Sequence, residues 1–83
     1  MTKNFSRPEA LKLQQIFTKN VRPLLKEKDI SFAHIARRLN MSTATISRYF
    51  SLGRKMDADV YFIIAEMVGK NVTDLIRENE ESE

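Results

Sequence analysis

The chain of 83 residues contains no cysteine, so it can form neither a disulfide framework nor a thiolate metal site. Its one histidine, His34, is too few for a metal site built from spaced histidine ligands. No apolar run approaches the roughly 18 residues of a membrane span, and the N-terminus lacks the apolar core of a secretion signal. We therefore expect a cytoplasmic protein that needs no cofactor and no membrane.

The sequence also lacks the alternation of apolar and polar residues that marks β-strands, and it contains no internal repeat or low-complexity linker. Its apolar residues recur instead at helical spacing, which predicts an all-α fold, a compact bundle of about five helices. A chain of this length allows one domain with a modest core, so dimerisation is a remaining way to add stability. We expect a loose arm at 1–5, the domain at 6–77 and an acidic tail at 78–83.

Local signals predict where these helices start and stop. Ser6 is expected to cap the first helix, and Pro23 is expected to kink or break it near 19–22, because proline has no N–H to donate. Gly53 is available for a positive φ in the loop after the third helix. Gly69 is expected to end the fourth helix.

The most informative stretch is 32–51, where two short helical patterns meet at a tight turn. Apolar residues fall on one face of each pattern. Asn40 sits between them, and asparagine tolerates the left-handed backbone that such a turn needs. Ala36 is small enough for a second helix to cross closely. This arrangement predicts a helix-turn-helix with Ser31 and Ser42 as the caps of its two helices.

The outward face of the second helix is short and polar. Arg48 can donate two parallel hydrogen bonds to guanine, while Thr43 and Ser47 can reach base edges or phosphates, and Ala44 can contact a thymine methyl group. These residues therefore suit a DNA major groove, and we include Thr45 of the same helix among the candidates. The alternative interpretation is an ordinary solvent-facing surface, which serine and threonine also fit.

This stretch resembles the helix-turn-helix of the Cro/C1-type, or lambda repressor-like, regulators of phages and bacteria. The resemblance extends from about Leu24 to Ile76. It is carried by the segments LKEKDISFAHIARRL, MSTATISRYF and AEMVGKNVTDLI. The family resemblance implies a recognition helix at 43–50 and a following loop whose Arg54 and Lys55 contact phosphates of the same half-site. A solvated turn is the alternative role for those two cations.

The chain departs from the family pattern at three places. Asn40 replaces the usual turn glycine, and Phe32 stands where many members carry a glutamine that contacts a phosphate. Ser51, Leu52 and Gly53 replace the common Glu-x-Gly after the recognition helix.

Charge is distributed unevenly along the chain. Residues 1–55 hold twelve Lys or Arg and three Asp or Glu, a net charge of +9, whereas residues 56–83 hold two and eight, a net charge of −6. The first part attracts a polyanion and the second repels it. The alternative interpretation is two solvated surfaces whose bias is accidental. Ser31 and Arg38 are further candidates for phosphate contact, although simple capping by Ser31 and a solubilising role for Arg38 explain them as well. Ser42, at the start of the recognition helix, is also counted among the DNA-binding candidates.

We expect a sequence-specific regulator of transcription that binds double-stranded DNA, either a repressor or a Cro-like protein. It is expected to act as a homodimer on a palindromic operator, because one recognition helix reads only a few base pairs. Candidate interface residues are Leu52, Phe62, Leu75 and Ile76. The alternative is a protein-interaction module, an anti-repressor or modulator, that binds a partner regulator. Nothing in the sequence resembles a catalytic constellation, so no enzyme is expected.

Overall fold

The computed structural model describes residues 7–77, and side chains from residue 11 onward. Within that range the chain is all-α and contains no strand. The predicted cap at Ser6 lies outside the described residues. The helices are α1 (Arg7–Glu27), α2 (Phe32–Leu39), α3 (Thr43–Phe50), α4 (Ala58–Met67) and the single turn α5 (Val72–Leu75). None of the described helices is long and apolar enough to cross a membrane.

α1 is the longest helix, and it continues through Pro23, so the predicted break near 19–22 is wrong. One stripe of α1 is buried on both sides of the proline, with Phe17 and Val21 before it and Leu25 after it. Burial of this stripe favours a continuous helix. Pro23 itself is exposed. The carbonyl that loses its hydrogen-bond donor belongs to the exposed Lys19, where water can bond to it.

The core lies between α1 and the other helices. α2 packs against α3 and α4, and α5 bridges α1 and α4. The ring of Tyr61 on α4 meets the fully buried Phe17 edge-on, with 4.7 Å between the ring centroids. Burial raises the pKa of the Tyr61 phenol above its usual value. The buried apolar side chains are Phe17, Val21, Leu25, Ile35, Ala36, Ile46, Tyr49, Phe50, Met56, Val60, Ile64, Ala65, Val68 and Leu75.

The four longer helices all end in the same way. In each, one residue adopts a left-handed conformation, and its N–H and that of the next residue bond back to carbonyls of the last turn, which is the Schellman arrangement. The left-handed residues are Asp29, Asn40, Leu52 and Gly69. The roles predicted for Asn40 and Gly69 are thus confirmed. The positive φ expected at Gly53 lies instead one residue earlier, at Leu52, because the Schellman geometry requires it there.

The turn between α2 and α3 provides a stability prediction. Asn40 has φ 58° and ψ 46°, and the N–H of Met41 donates to the carbonyl of Ala36 at 2.9 Å. Alanine pays a steric penalty in this conformation that asparagine partly avoids. We expect Asn40→Ala to lower the free energy of unfolding by about 1 kcal/mol in urea titrations. Asn40→Gly is the matched control and should be close to neutral; an equal loss in both variants would contradict this explanation.

Candidate nucleic-acid interface

α3 divides sharply into a buried and an exposed face. Ile46, Tyr49 and Phe50 are buried in the core. Four of the predicted contact residues lie in solvent on the remaining surface. They are Thr43, Ala44, Ser47 and Arg48. Because the three apolar residues hold the helix against the domain, these short side chains and the one arginine form a fixed, uncrowded surface.

Ser42 caps this helix as predicted. Its hydroxyl oxygen accepts a hydrogen bond from the Thr45 N–H at 3.1 Å, and the two side-chain hydroxyls are 2.9 Å apart. Thr45 is consequently half-buried, with its hydroxyl turned toward the cap rather than toward the outward face. Thr45 therefore helps to build the N-terminus of α3 but presents less of its side chain than its neighbours do.

The phenyl rings behind α3 explain what Phe32 does in this chain. The Phe32 ring is half-buried and lies 4.7 Å from the Phe50 ring, measured between centroids. Arg22 of α1 sits above the Phe50 ring at 5.3 Å and donates to the Phe50 carbonyl at 3.3 Å. Phe32 stands where the family resemblance predicts a phosphate-contacting glutamine. In this chain its side chain packs instead against the end of α3.

The loop after α3 carries the two predicted phosphate contacts, and both Arg54 and Lys55 are exposed. Its backbone is held from below by Gln14 of α1, which sequence analysis missed. The Gln14 Nε2 donates to the carbonyls of Tyr49 at 2.9 Å and Arg54 at 2.8 Å, while its Oε1 accepts from the Met56 N–H at 2.8 Å. A signal was present: Gln14 falls on the helical stripe of Phe17, as a polar residue on an apolar face.

Two further candidates on α2 have partners within the domain. The Ser31 hydroxyl accepts a hydrogen bond from the His34 N–H at 3.1 Å, so its capping role is confirmed. The Arg38 guanidinium donates to the Glu66 carboxylate of α4 at 3.1 Å, and both side chains are largely exposed. An exposed pair of this kind contributes about 0–1 kcal/mol, so a phosphate can compete with Glu66 for Arg38.

The candidate interface residues differ in how much of each side chain is exposed. Leu75 is wrong as an interface residue, because its side chain is buried in the core of its own domain. Asn20 of α1 donates to the carbonyls of Leu75 and Arg77 at 2.8 and 3.0 Å and holds this end of the chain. Leu52 and Ile76 are half-buried. Phe62 remains 65% exposed, beside a shallow groove lined by Ala65 and Val72.

Comparisons of the chain with protein-family models, with curated proteins and with solved structures give no significant match. The binding properties of the α3 surface are therefore inferred from its own chemistry. That surface offers hydroxyl groups at Thr43 and Ser47, a methyl group at Ala44 and a planar cation at Arg48, with two more cations in the adjoining loop.

The cap of α3 can be tested by substitution. Ser42→Ala removes the oxygen that accepts from the Thr45 N–H, and we expect it to lower the free energy of unfolding by about 1 kcal/mol. Ser47→Ala is the matched control, since it changes an exposed serine in the body of the same helix and should shift stability by less than about 0.5 kcal/mol. Chemical denaturation of both variants makes the measurement. Equal losses would show that the cap bond adds nothing specific.

Proposed function

We propose that this protein binds double-stranded DNA in a sequence-specific manner and regulates transcription, in the manner of the Cro/C1-type regulators. In this proposal α3 lies in the major groove, and the loop that follows it grips the phosphates of the same half-site. The chain acts as a repressor or Cro-like protein on an operator with two-fold symmetry.

The outward face of α3 is the observation that carries the proposal. The groove of B-form DNA, about 12 Å wide, admits a helix only if the side chains on its leading face are short or can reach base edges. Thr43, Ala44 and Ser47 are short, and Arg48 can donate a planar pair of hydrogen bonds to guanine. A helix that only keeps the surface soluble does not require short side chains and an arginine on one face, next to a capped, tight turn.

The distribution of charge supports the same proposal. The net charge of +9 lies in the part of the chain that includes α1, α2, α3 and the loop, whereas the acidic part includes α4 and α5. Non-specific DNA affinity comes from cations that displace condensed counterions from phosphates. A protein that approaches DNA with α3 and the loop residues Arg54 and Lys55 therefore uses the part of its chain that carries the excess of cations.

A second candidate function is a protein-interaction module that binds a partner regulator. The Phe62 ring, which is 65% exposed beside the groove lined by Ala65 and Val72, favours it, because phenylalanine is enriched at the cores of protein–protein interfaces. The two functions differ in how tightly the protein binds DNA. A module of this kind binds DNA only in the non-specific range, at roughly 10⁻⁴ to 10⁻⁶ M near physiological salt.

Selection of bound sequences from a random duplex library is the experiment that tests the proposal. We expect a palindromic motif whose half-sites are centred about one helical turn apart, because a symmetric dimer presents two recognition helices. Sedimentation of the protein with one full site should then give two chains per duplex. Recovery of no motif would reject sequence-specific binding, and one chain per duplex at saturation would reject the dimer.

Arg48 should decide part of the specificity. Arg48→Ala is expected to weaken binding to the selected site by about 1–3 kcal/mol and to relax the preference at one base position in each half-site. Titration of the variant against the selected site and against scrambled duplex makes the measurement. Equal losses on both duplexes would mean that Arg48 contacts only phosphate.

Arg54 and Lys55 should act on all sequences alike. Arg54→Ala and Lys55→Ala are each expected to weaken binding to specific and scrambled duplex equally and to flatten the log–log dependence of affinity on salt by about one unit per bound chain. Lys70→Ala is the matched control, since Lys70 is an exposed cation just beyond α4 and should leave the slope unchanged. An unchanged slope in the loop variants would place both side chains in solvent when DNA is bound.

A further inference from the structure

Gln14 is the only fully buried polar side chain among those described, with none of its surface exposed. It lies on the stripe of α1 that faces the core, although burial of an amide without partners costs several kcal/mol. Its amide forms hydrogen bonds with three backbone groups of one segment that is distant in sequence. Those groups are the carbonyls of Tyr49 and Arg54 and the N–H of Met56.

The direction of these bonds leaves one orientation of the amide. The nitrogen of a glutamine amide only donates and its oxygen only accepts. Two carbonyl oxygens lie within 2.9 Å of the Nε2, and one backbone N–H points at the Oε1. A flipped amide would set acceptor against acceptor at Tyr49 and at Arg54 and donor against donor at Met56, so the network is specific to the orientation observed.

The three bonds bracket the phosphate-contact loop. One tether lies at Tyr49, in the last turn of α3, and the others lie at Arg54 and at Met56, on either side of Lys55. The loop is also constrained at its start, where Leu52 adopts a left-handed φ of 68° and the Gly53 N–H bonds back to the Arg48 carbonyl at 2.8 Å. The backbone that carries the two exposed cations is therefore fixed to the same side chain as the end of α3.

We infer that Gln14 is a positioning residue for DNA binding: its amide locks the backbone of the 51–57 loop to the end of α3, so that Arg54 and Lys55 are held at a set distance from the recognition helix. The inference rests on the proposed function and goes beyond it, because Gln14 is buried and touches no ligand itself. A cation on a prearranged backbone loses less conformational freedom when it binds a phosphate, and its affinity rises accordingly.

The alternative is that Gln14 only stabilises the fold. A purely structural role predicts that the substitution lowers stability but leaves the contribution of Arg54 and Lys55 to DNA affinity unchanged in the folded protein. A positioning role predicts that the contribution of those cations to binding disappears with the amide. The salt dependence of DNA affinity separates the two, because its slope counts phosphate contacts made by folded protein.

Gln14→Met is the test variant, since methionine has a similar length, cannot donate to the two carbonyls and is at most a weak acceptor for the Met56 N–H. Gln15→Met is the matched control, because Gln15 is the exposed neighbour on the same helix. Each is titrated against the selected duplex over a range of salt concentrations, in the wild-type background and together with Arg54→Ala and Lys55→Ala. Circular dichroism sets the temperature at which every variant is folded.

We expect Gln14→Met to flatten the salt slope by up to about two units per bound chain, the sum attributed to the two loop cations. In that background the loop substitutions should change the slope by less than about half a unit, whereas Gln15→Met should leave their effects intact. Full effects of the loop substitutions in Gln14→Met protein would overturn the inference. If the wild-type protein instead binds no DNA sequence specifically, the proposed function is overturned, and the positioning role is overturned with it.

Backbone dynamics of the wild-type protein keep the inference testable if Gln14→Met does not fold. We expect ¹⁵N order parameters near 0.85 for Arg54 and Lys55 in the free protein, as in its helices, because the tethers are already formed. Values below about 0.6 for those two amides would show a loop that DNA must order, and would overturn the inference.

Discussion

The three hydrogen bonds of one buried amide connect α1 to the segment that joins α3 to α4. Gln14 of α1 bonds to the end of α3 and to the loop that leads into α4, at separations of 35 to 42 residues along the chain. If any of these three backbone groups bonded to water instead, the buried amide would lose a hydrogen-bond partner inside the core, which is unfavourable. The packing of α1, the direction of the loop and the start of α4 are therefore coupled through a single side chain.

The ends of the four longer helices share a second constraint. With only two glycines in the chain, three of the four Schellman ends place another residue in the left-handed region, and Leu52 is the one with no local hydrogen-bonding side chain to favour it. That residue lies where α3 passes into the loop tethered by Gln14. The cost of its conformation is offset by the backbone hydrogen bonds of this helix end, among them the bond from the Gly53 N–H to the Arg48 carbonyl.

Much of the fold could be predicted from local patterns. The spacing of Ile35, Ala36 and Ile46 identified the buried faces of α2 and α3, and Asn40 identified the turn between them. Short-range rules predict such features because each depends on residues within a turn of one another. The break at Pro23 and the positive φ at Gly53 were wrong for the opposite reason: burial on both sides of Pro23 and the bonding at the end of α3 outweighed the local preference.

The amino-acid sequence by itself determined the all-α class, the helices α2 and α3, the caps at Ser31 and Ser42, the uneven charge and the polar face of α3, since these depend on residue type and periodicity alone. Tertiary structure decided which side chains were still available for binding. It buried Leu75, paired Arg38 with Glu66, packed Phe32 against Phe50 and left Phe62 exposed. Above all it brought Gln14 beneath the loop, because a hydrogen bond between residues some 40 positions apart depends on how the helices pack, which no local pattern encodes.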